Sequence, residues 1–586
     1  MKEKLANLAR TLEALGPIVG HAVKSGQLFK PRCELTEPDP DILCEYDVRI
    51  PMSEGFSVTA NIYRSRAAAE SGEPVPVVMC AHPYDNHLTP AQKKTPLNGA
   101  PQQYRLIPQA GRPAFSSLTS WESPDPNFWV PSGYAIVNMN LPGYANSDGL
   151  PSAFSEHQGK CYYEAIEWVA KQPWCTGKVG LNGVSFLAIS QYHVAACQAY
   201  GGPPPSLCCI SPWEGLTDPY RDIFAFGGLS EVGFPAFWWA TEVKPAINGT
   251  QADFVEAEGC IATDYLKEHP LYDDFWKAKA AKLEEITVPM LVCASFSDHG
   301  LHTMGSFRAF MKAKSKHKWV YTHRTGKWDA YYSTEVQELT RNFMDCFLKG
   351  DSSSGFLDTP RVRLEVRSSR EDIHDVRHEN EWPLARTEYT RLYLDEQQTI
   401  SLDRSHAPME VAYSAKEGKA EFHHTFAEDT ELSGYMKLRV WVESRRESAG
   451  QETPDDMALF VAVNKLDRDG RAVPFYGSVG STKDMVTRGW CRVSRRELDP
   501  AESLEWSPVQ TGAKEQGLKA GEIVPVDVAL YPSSTFFASG ESVQLIVAPR
   551  EIIPSPPYIK DASFNRGVHV LHFGGEYDSY LLVPSV

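Results

Sequence analysis

Between Gly180 and Ala188 the chain reads Gly180-Leu181-Asn182-Gly183-Val184-Ser185-Phe186-Leu187-Ala188, a serine among small and apolar residues. The preceding Lys178-Val179-Gly180-Leu181 has the apolar character of a short buried strand, and Ile189 to Ala196 continues at helical spacing. Ser185 is thereby predicted at a strand-turn-helix elbow, where its hydroxyl is exposed as a nucleophile. The amide of Phe186 then stands at a helix N-terminus, facing any oxyanion formed. The elbow pattern is Gly-x-Ser-x-Gly, and here Leu187 stands at its last position.

A serine hydroxyl attacks poorly until a base takes its proton, so the elbow calls for a histidine oriented by a carboxylate, in the order serine, acid, histidine. Leu291 to Ser297 ends a buried-strand pattern at Asp298, and Lys318-Trp319-Val320-Tyr321-Thr322 ends another at His323. Asp298 and His323 are the predicted acid and base. Nearby His299 and His302 are alternative bases, less well placed for a loop after a strand, and His317 precedes the strand. Asp329 is a rival acid, but it follows the histidine. Asp298 has a plainer role open to it as a helix cap.

These residues need a sheet to bring them to one edge. The alternation in Phe56-Ser57-Val58-Thr59-Ala60-Asn61-Ile62-Tyr63 predicts a half-buried strand. Wholly apolar runs at residues 75–80, 134–138, 179–181, 207–210 and 289–294 then alternate with helical segments such as 161–172. This predicts an α/β fold with a doubly wound, mostly parallel sheet over residues 31–211 and 286–350, whose ligands lie beyond the strands' carboxyl ends. Residues 212–285 break the rhythm and are rich in aromatics, predicting a helical cap in which Phe224, Phe226 and Trp238 either hold a hydrophobic acyl group or pack the cap core. After the linker Lys349-Gly350-Asp351-Ser352-Ser353-Ser354-Gly355, short alternating strands over 351–586 predict an all-β sandwich. Leu5, Leu8, Leu12 and Leu15 predict an amphipathic helix over residues 1–30.

The chain has 586 residues, too many for one core. Its net charge of -17 opposes binding to a phosphate backbone, so nucleic acid is excluded as a partner. No apolar run reaches membrane-spanning length. The 12 cysteines form no CxxC pair, which points to a reducing, cytoplasmic setting. No His, Cys and carboxylate set has metal-ligand spacing, so neither metal nor cofactor is expected. The expected partner is a small-molecule ester or amide, with the oligomeric state, a homo-oligomer included, left open.

From about Arg49 to Val586 the chain resembles the cocaine-esterase-like hydrolases, relatives of X-prolyl dipeptidyl peptidases. His82-Pro83-Tyr84-Asp85, Trp174-Cys175-x-Gly177-Lys178-Val179-Gly180, the elbow, Asp218-x-Tyr220-Arg221, His269-Pro270-Leu271-Tyr272-Asp273-Asp274-Phe275-Trp276, Glu381-Trp382-Pro383-Leu384 and Tyr580-Leu581-Leu582-Val583-Pro584 carry the likeness. The resemblance implies an α/β-hydrolase with a helical cap and a C-terminal jelly-roll. It also implies a triad of Ser185, Asp298 and His323, and an oxyanion hole of the Tyr84 hydroxyl and the Phe186 amide. The chain departs from it at Asn140-Leu141-Pro142-Gly143-Tyr144, where the family commonly carries Asp-x-Arg-Gly, and in the long stretch 86–128. The expected activity is hydrolysis through an acyl-enzyme. An acyltransferase using the same triad, a dipeptidyl peptidase with an anionic amine site not located in the sequence, and an inactive binding protein are the alternatives.

Overall fold

The computed structural model describes residues 33–90, 104, 109–478 and 481–586. The helix expected over residues 1–30 lies outside them, as does part of the stretch 86–128. The alternating segment forms β2 (Ser57–Ser65), which pairs antiparallel with β1 (Ile42–Pro51). From Val75 the strands lose their polar face: every residue of β3 (Val75–His82) after the first is buried, as is all of β4 (Ala135–Asn140). Strands covered on both sides read this way because helices lie over both faces of the sheet.

Three helices bear on the site. α1 (Glu156–Ala170) is capped by Ser155, whose hydroxyl accepts the Gln158 N–H. α2 (Phe186–Ala195) leaves the tip of β5 (Cys175–Val184), and α3 (Thr303–Lys312) follows the loop after β7 (Met290–Ser295). With β6 (Leu207–Trp213), β8 (Lys318–His323) and β9 (Val362–Arg367), the sheet order is β1-β2-β4-β3-β5-β6-β7-β8-β9. It is antiparallel from β1 to β4 and parallel from there to β9, so the tips of β5, β6, β7 and β8 share one edge.

Between β6 and β7 the chain forms the cap from short helices, including Phe234–Trp238, Gln251–Glu258 and Asp274–Lys279. Its core is aromatic: Trp276 meets Tyr220, Phe224 and Tyr265, and Trp239 meets Phe254.

Beyond Gly355 the chain is mostly β. The long β10 (Thr430–Arg445) pairs antiparallel with β12 (Val524–Phe537), β14 (Val568–Phe573) and β15 (Tyr580–Ser585). β11 (Ala458–Leu466) pairs with β13 (Ser542–Ala548). Leu438, Val440, Val461, Val463, Val528 and Leu545 lie in the apolar core between them. The linker does not separate two sheets, however, because β9 comes from beyond it and extends the hydrolase sheet by pairing with β8. Arg367, the last residue of β9, is fully buried at this joint. It donates to the carbonyls of Phe296, Val486 and Ser534. Such a guanidinium in the interior must have its N–H groups matched by acceptors, which fixes the approach of the two layers.

Candidate active site

Ser185 has φ 59° and ψ -117°, an unfavourable backbone conformation for a residue with a Cβ. The elbow is held by two backbone bonds, from Val184 N–H to the Glu122 carbonyl and from Ser185 N–H to the Trp213 carbonyl. Gly183 has φ 152°, and a Cβ there would stand 2.5 Å from the Leu187 Cβ. This accounts for the departure from Gly-x-Ser-x-Gly: Leu187 leans over Gly183, so one glycine suffices for strand and helix to close. Glu122, Phe154 and Glu214, which line the same pocket, also have positive φ. Backbone strain therefore gathers around the nucleophile, as it does at sites whose geometry is over-determined by their surroundings.

Ser185 Oγ lies 3.2 Å from His302 Nε2, and His302 Nδ1 lies 2.6 Å from Asp298 Oδ2. Burial disfavours the charge on Asp298, but His302 and the Lys327 ammonium outweigh it and hold the carboxyl below its ordinary range. An ionised Asp298 can only accept, so Nδ1 carries the imidazole proton and Nε2 is left to accept from the serine hydroxyl. Burial and Lys327 pull His302 below the usual histidine range, against Asp298. A neutral imidazole is the form a general base requires.

The structure corrects the predicted pairing of acid and base. Asp298 engages His302, while His323, the last residue of β8, places Nε2 2.7 Å from Glu214 Oε1 and stacks on Trp213. The cause is local: Glu214, at the tip of β6, captures His323, whereas His302 stands one helical turn after Asp298 and immediately before α3. The (i, i+4) spacing was the signal in the sequence. Glu214 also lies near the triad, its carboxylate within 4.8 Å of ligand atoms of Asp298 and His302. Asp329 instead accepts the Gly111 N–H, and His317 stacks on Trp319. His299 is buried, and neither ring nitrogen has a hydrogen-bond partner among the described residues.

Tyr84 follows β3 and lines the pocket with Ser185 and Phe186. Its amide donates to His82 Nδ1, and its ring stacks on that imidazole and meets Phe186 edge-on. Trp238 Nε1 donates to its hydroxyl oxygen at 3.4 Å. Burial, with the charges of Glu242 and Glu122, pushes the phenol far above its ordinary range, so it remains a donor. The Phe186 amide occupies the first helical position of α2, where an N–H has no acceptor within the helix.

Of the three cap aromatics considered for the acyl group, Trp238 lines the pocket, stacked on Phe154 and Phe186. Phe224 is instead packed on Tyr265 and Trp276 inside the cap, and Phe226 lies against Trp490 of the sandwich. Neither lines the pocket that holds Ser185: the sequence marks them as aromatic but not which way they face.

The pocket also holds charge that the sequence reading missed. Lys327 Nζ is 3.9 Å from both Asp298 Oδ2 and Glu122 Oε1. Burial opposes its charge, but Glu122, Asp298, Glu214 and Glu242 keep the ammonium protonated. Burial pushes the Glu122 carboxyl up to about 8, against Lys327 and a hydrogen bond from Trp328 Nε1. Glu242, from the cap, lines the pocket as well. From the sandwich come Gly477, Ser478, Pro556, Pro557 and Tyr558, so the wall is completed by residues distant in sequence.

Residues 54–329 match the family model of the X-Pro dipeptidyl-peptidase (S15 family), and residues 354–582 that of the X-Pro dipeptidyl-peptidase C-terminal non-catalytic domain. Cocaine esterase from a Rhodococcus species is 25% identical over 401 residues, which span 59% of this chain and 62% of that protein. An aminopeptidase structure from a marine sediment Thaumarchaeota archaeon shares the fold at 15% identity and a TM-score of 0.67, over 93% of this chain and 97% of that one. The structure of a CocE/NonD family hydrolase from Staphylococcus aureus has a TM-score of 0.83 and 35% identity, covering 96% of this chain and 100% of that one. At that identity, and with the likeness running over almost the whole of both chains, the chain belongs to the CocE/NonD family of hydrolases.

Proposed function

We propose that the protein is a serine hydrolase that cleaves small esters or amides through an acyl-enzyme. The observation that carries this is the unbroken chain from Ser185 Oγ through His302 to Asp298 at the tips of β5 and β7. Ser185 attacks the substrate carbonyl as its proton passes to His302 Nε2, and Asp298 steadies the imidazolium through Nδ1–H. The carbonyl oxygen, now an oxyanion, is met by the Tyr84 hydroxyl and the Phe186 amide. Collapse of the tetrahedral intermediate expels the alcohol or amine, protonated by His302. Water, deprotonated in turn by His302, then releases the acid and restores Ser185. The aromatic wall of Trp121, Phe154, Phe186, Phe237 and Trp238 favours a hydrophobic or aromatic acyl group.

All 12 cysteines are free thiols, which supports a reducing, cytoplasmic setting. Among the described residues no helix is long and apolar enough to cross a membrane.

A second reading is favoured by the excess of acid around the nucleophile. Glu242 joins Asp298 and Glu214 in the lining, against Lys327, and Glu122, its carboxyl pushed up to about 8, gains its charge when a cation comes close. A substrate with a free amine would relieve this imbalance, as an aminoacyl ester or an X-Pro peptide would. Screening ester, amide and lactone libraries, with each aminoacyl substrate paired to its N-acetylated form, separates the readings. Turnover that disappears in Ser185→Ala supports the hydrolase. A preference for the free amine supports the second reading. Adding alcohol and amine acceptors and analysing products distinguishes acyl transfer from hydrolysis. No fluorophosphonate labelling of Ser185 would overturn the proposal.

A further inference from the structure

The loop carrying acid and base, from Phe296 to His302, is gripped at its start and at its middle by residues from beyond the linker. At its start, Arg367 donates to the Phe296 carbonyl at 3.2 Å. In its middle, Gly300 donates its N–H to Ser478 Oγ at 2.7 Å, an acceptor 178 residues away in the chain. The approach depends on glycine: a Cβ on Gly300 would stand 3.0 Å from Ser478 Oγ and 3.1 Å from the Tyr558 ring. Ser478 is itself tied back into the C-terminal domain, its carbonyl accepting from the Ser555 hydroxyl. The bond from Gly300 uses Ser478 as an acceptor, so the serine's own proton remains to be donated. The hydroxyl is one of the groups favouring the charged Asp298, whose Oδ1 is buried and has no hydrogen-bond partner among the described residues.

We propose that Ser478 is a positioning residue for catalysis, through which the C-terminal β-domain sets the geometry of the Asp298–His302 pair. Resting on the triad reading above, it gives the domain a part in the reaction beyond walling the pocket. Gly300 lies midway between Asp298 and His302. Without the Ser478 acceptor its buried N–H loses its partner, and the turn that aims Nε2 at Ser185 is free to relax. Small misplacements of a reacting group lower rates steeply.

The test compares wild type, Ser478→Ala and Ser478→Thr by the rate of fluorophosphonate labelling of Ser185 across pH, with thermal melting of each protein. Labelling needs no knowledge of the substrate. Ser478→Ala should label about 10–100-fold more slowly while still folded, its melting temperature lowered by no more than a few degrees for the orphaned Gly300 N–H, with its acid limb displaced. Ser478→Thr, which keeps the hydroxyl, should recover most of the rate. Wild-type labelling by Ser478→Ala, or a loss that Thr does not restore, overturns the positioning role while leaving the triad intact. A wild-type protein that does not label overturns the triad reading itself, and the role of Ser478 with it.

Discussion

Asp298 and His302 are hydrogen-bonded to one another at 2.6 Å across a single turn, so the acid and the base of the site come from the same loop. In a triad assembled from three loops each partner moves with its own segment. Here the acid–base pair is a local unit, and what must be controlled is its approach to Ser185. That approach is set by β5 lying two strands from β7, by Arg367 at the start of the loop and by Ser478 at its centre.

Replacing Ser185 with alanine removes the covalent route without touching the core. Turnover of any substrate found should fall by a factor of about 10⁶, with the circular dichroism spectrum and melting temperature of wild type. Ester hydrolysis near the wild-type rate would show that another group attacks.

Tyr84→Phe keeps the ring against His82 and Phe186 but deletes the hydroxyl. The oxyanion loses one of its two donors, so kcat should fall by about 10²–10³, equivalent to roughly 2.7–4 kcal/mol, with KM little changed. A rise in KM alone would make the tyrosine a binding residue.

Lys327 gives the site a pH dependence with a definite sign. His302 acts as base only when neutral, so kcat/KM should fall as pH drops through its pKa. Burial and the Lys327 ammonium both lower that pKa, while Asp298 and Glu214 raise it. Lys327→Met keeps the alkyl stem over Trp328 but removes the charge, so the pKa of His302 rises. The acid limb of kcat/KM should move to higher pH, by up to about one unit. A shift to lower pH, or none, would contradict the assignment of that limb to His302.

The C-terminal domain should not be separable from activity. Residues 1–349 lack β9, Ser478 and Tyr558, so the hydrolase sheet would end in an open edge at β8, the pocket would lose a wall and apolar surface would be exposed. This fragment should aggregate or be inactive, measured by size-exclusion chromatography and fluorophosphonate labelling. A soluble monomer that labels at the wild-type rate would make the sandwich an independent module.

What the sequence disclosed and what it withheld follow from the range of the interactions. The elbow was legible because strand, glycine and helix are contiguous, and Asp298 because it directly follows an apolar strand. His302, one of the alternative bases, ranks below His323 in the sequence because a histidine after a strand is the commoner arrangement, and His323 offers one. Only the contact between β6 and β8 tips shows that Glu214 occupies it. Phe226 and Trp238 look alike in a sequence, and the sandwich that claims Phe226 lies hundreds of residues away. For the same reason Ser478 and Tyr558 carried no signal, their relation to the site existing only once β9 has joined the two halves.

The central claim, that His302 and not His323 takes the serine proton, is tested most directly by measuring the labelling rate of Ser185 in His302→Gln and His323→Gln. Glutamine keeps a donor in each place and limits the disturbance of buried Asp298 and Glu214. The account predicts that His302→Gln loses at least about 10⁴ in rate while still folded, and that His323→Gln stays within about tenfold of wild type. A folded His323→Gln protein that no longer labels, beside a His302→Gln protein that does, would contradict it.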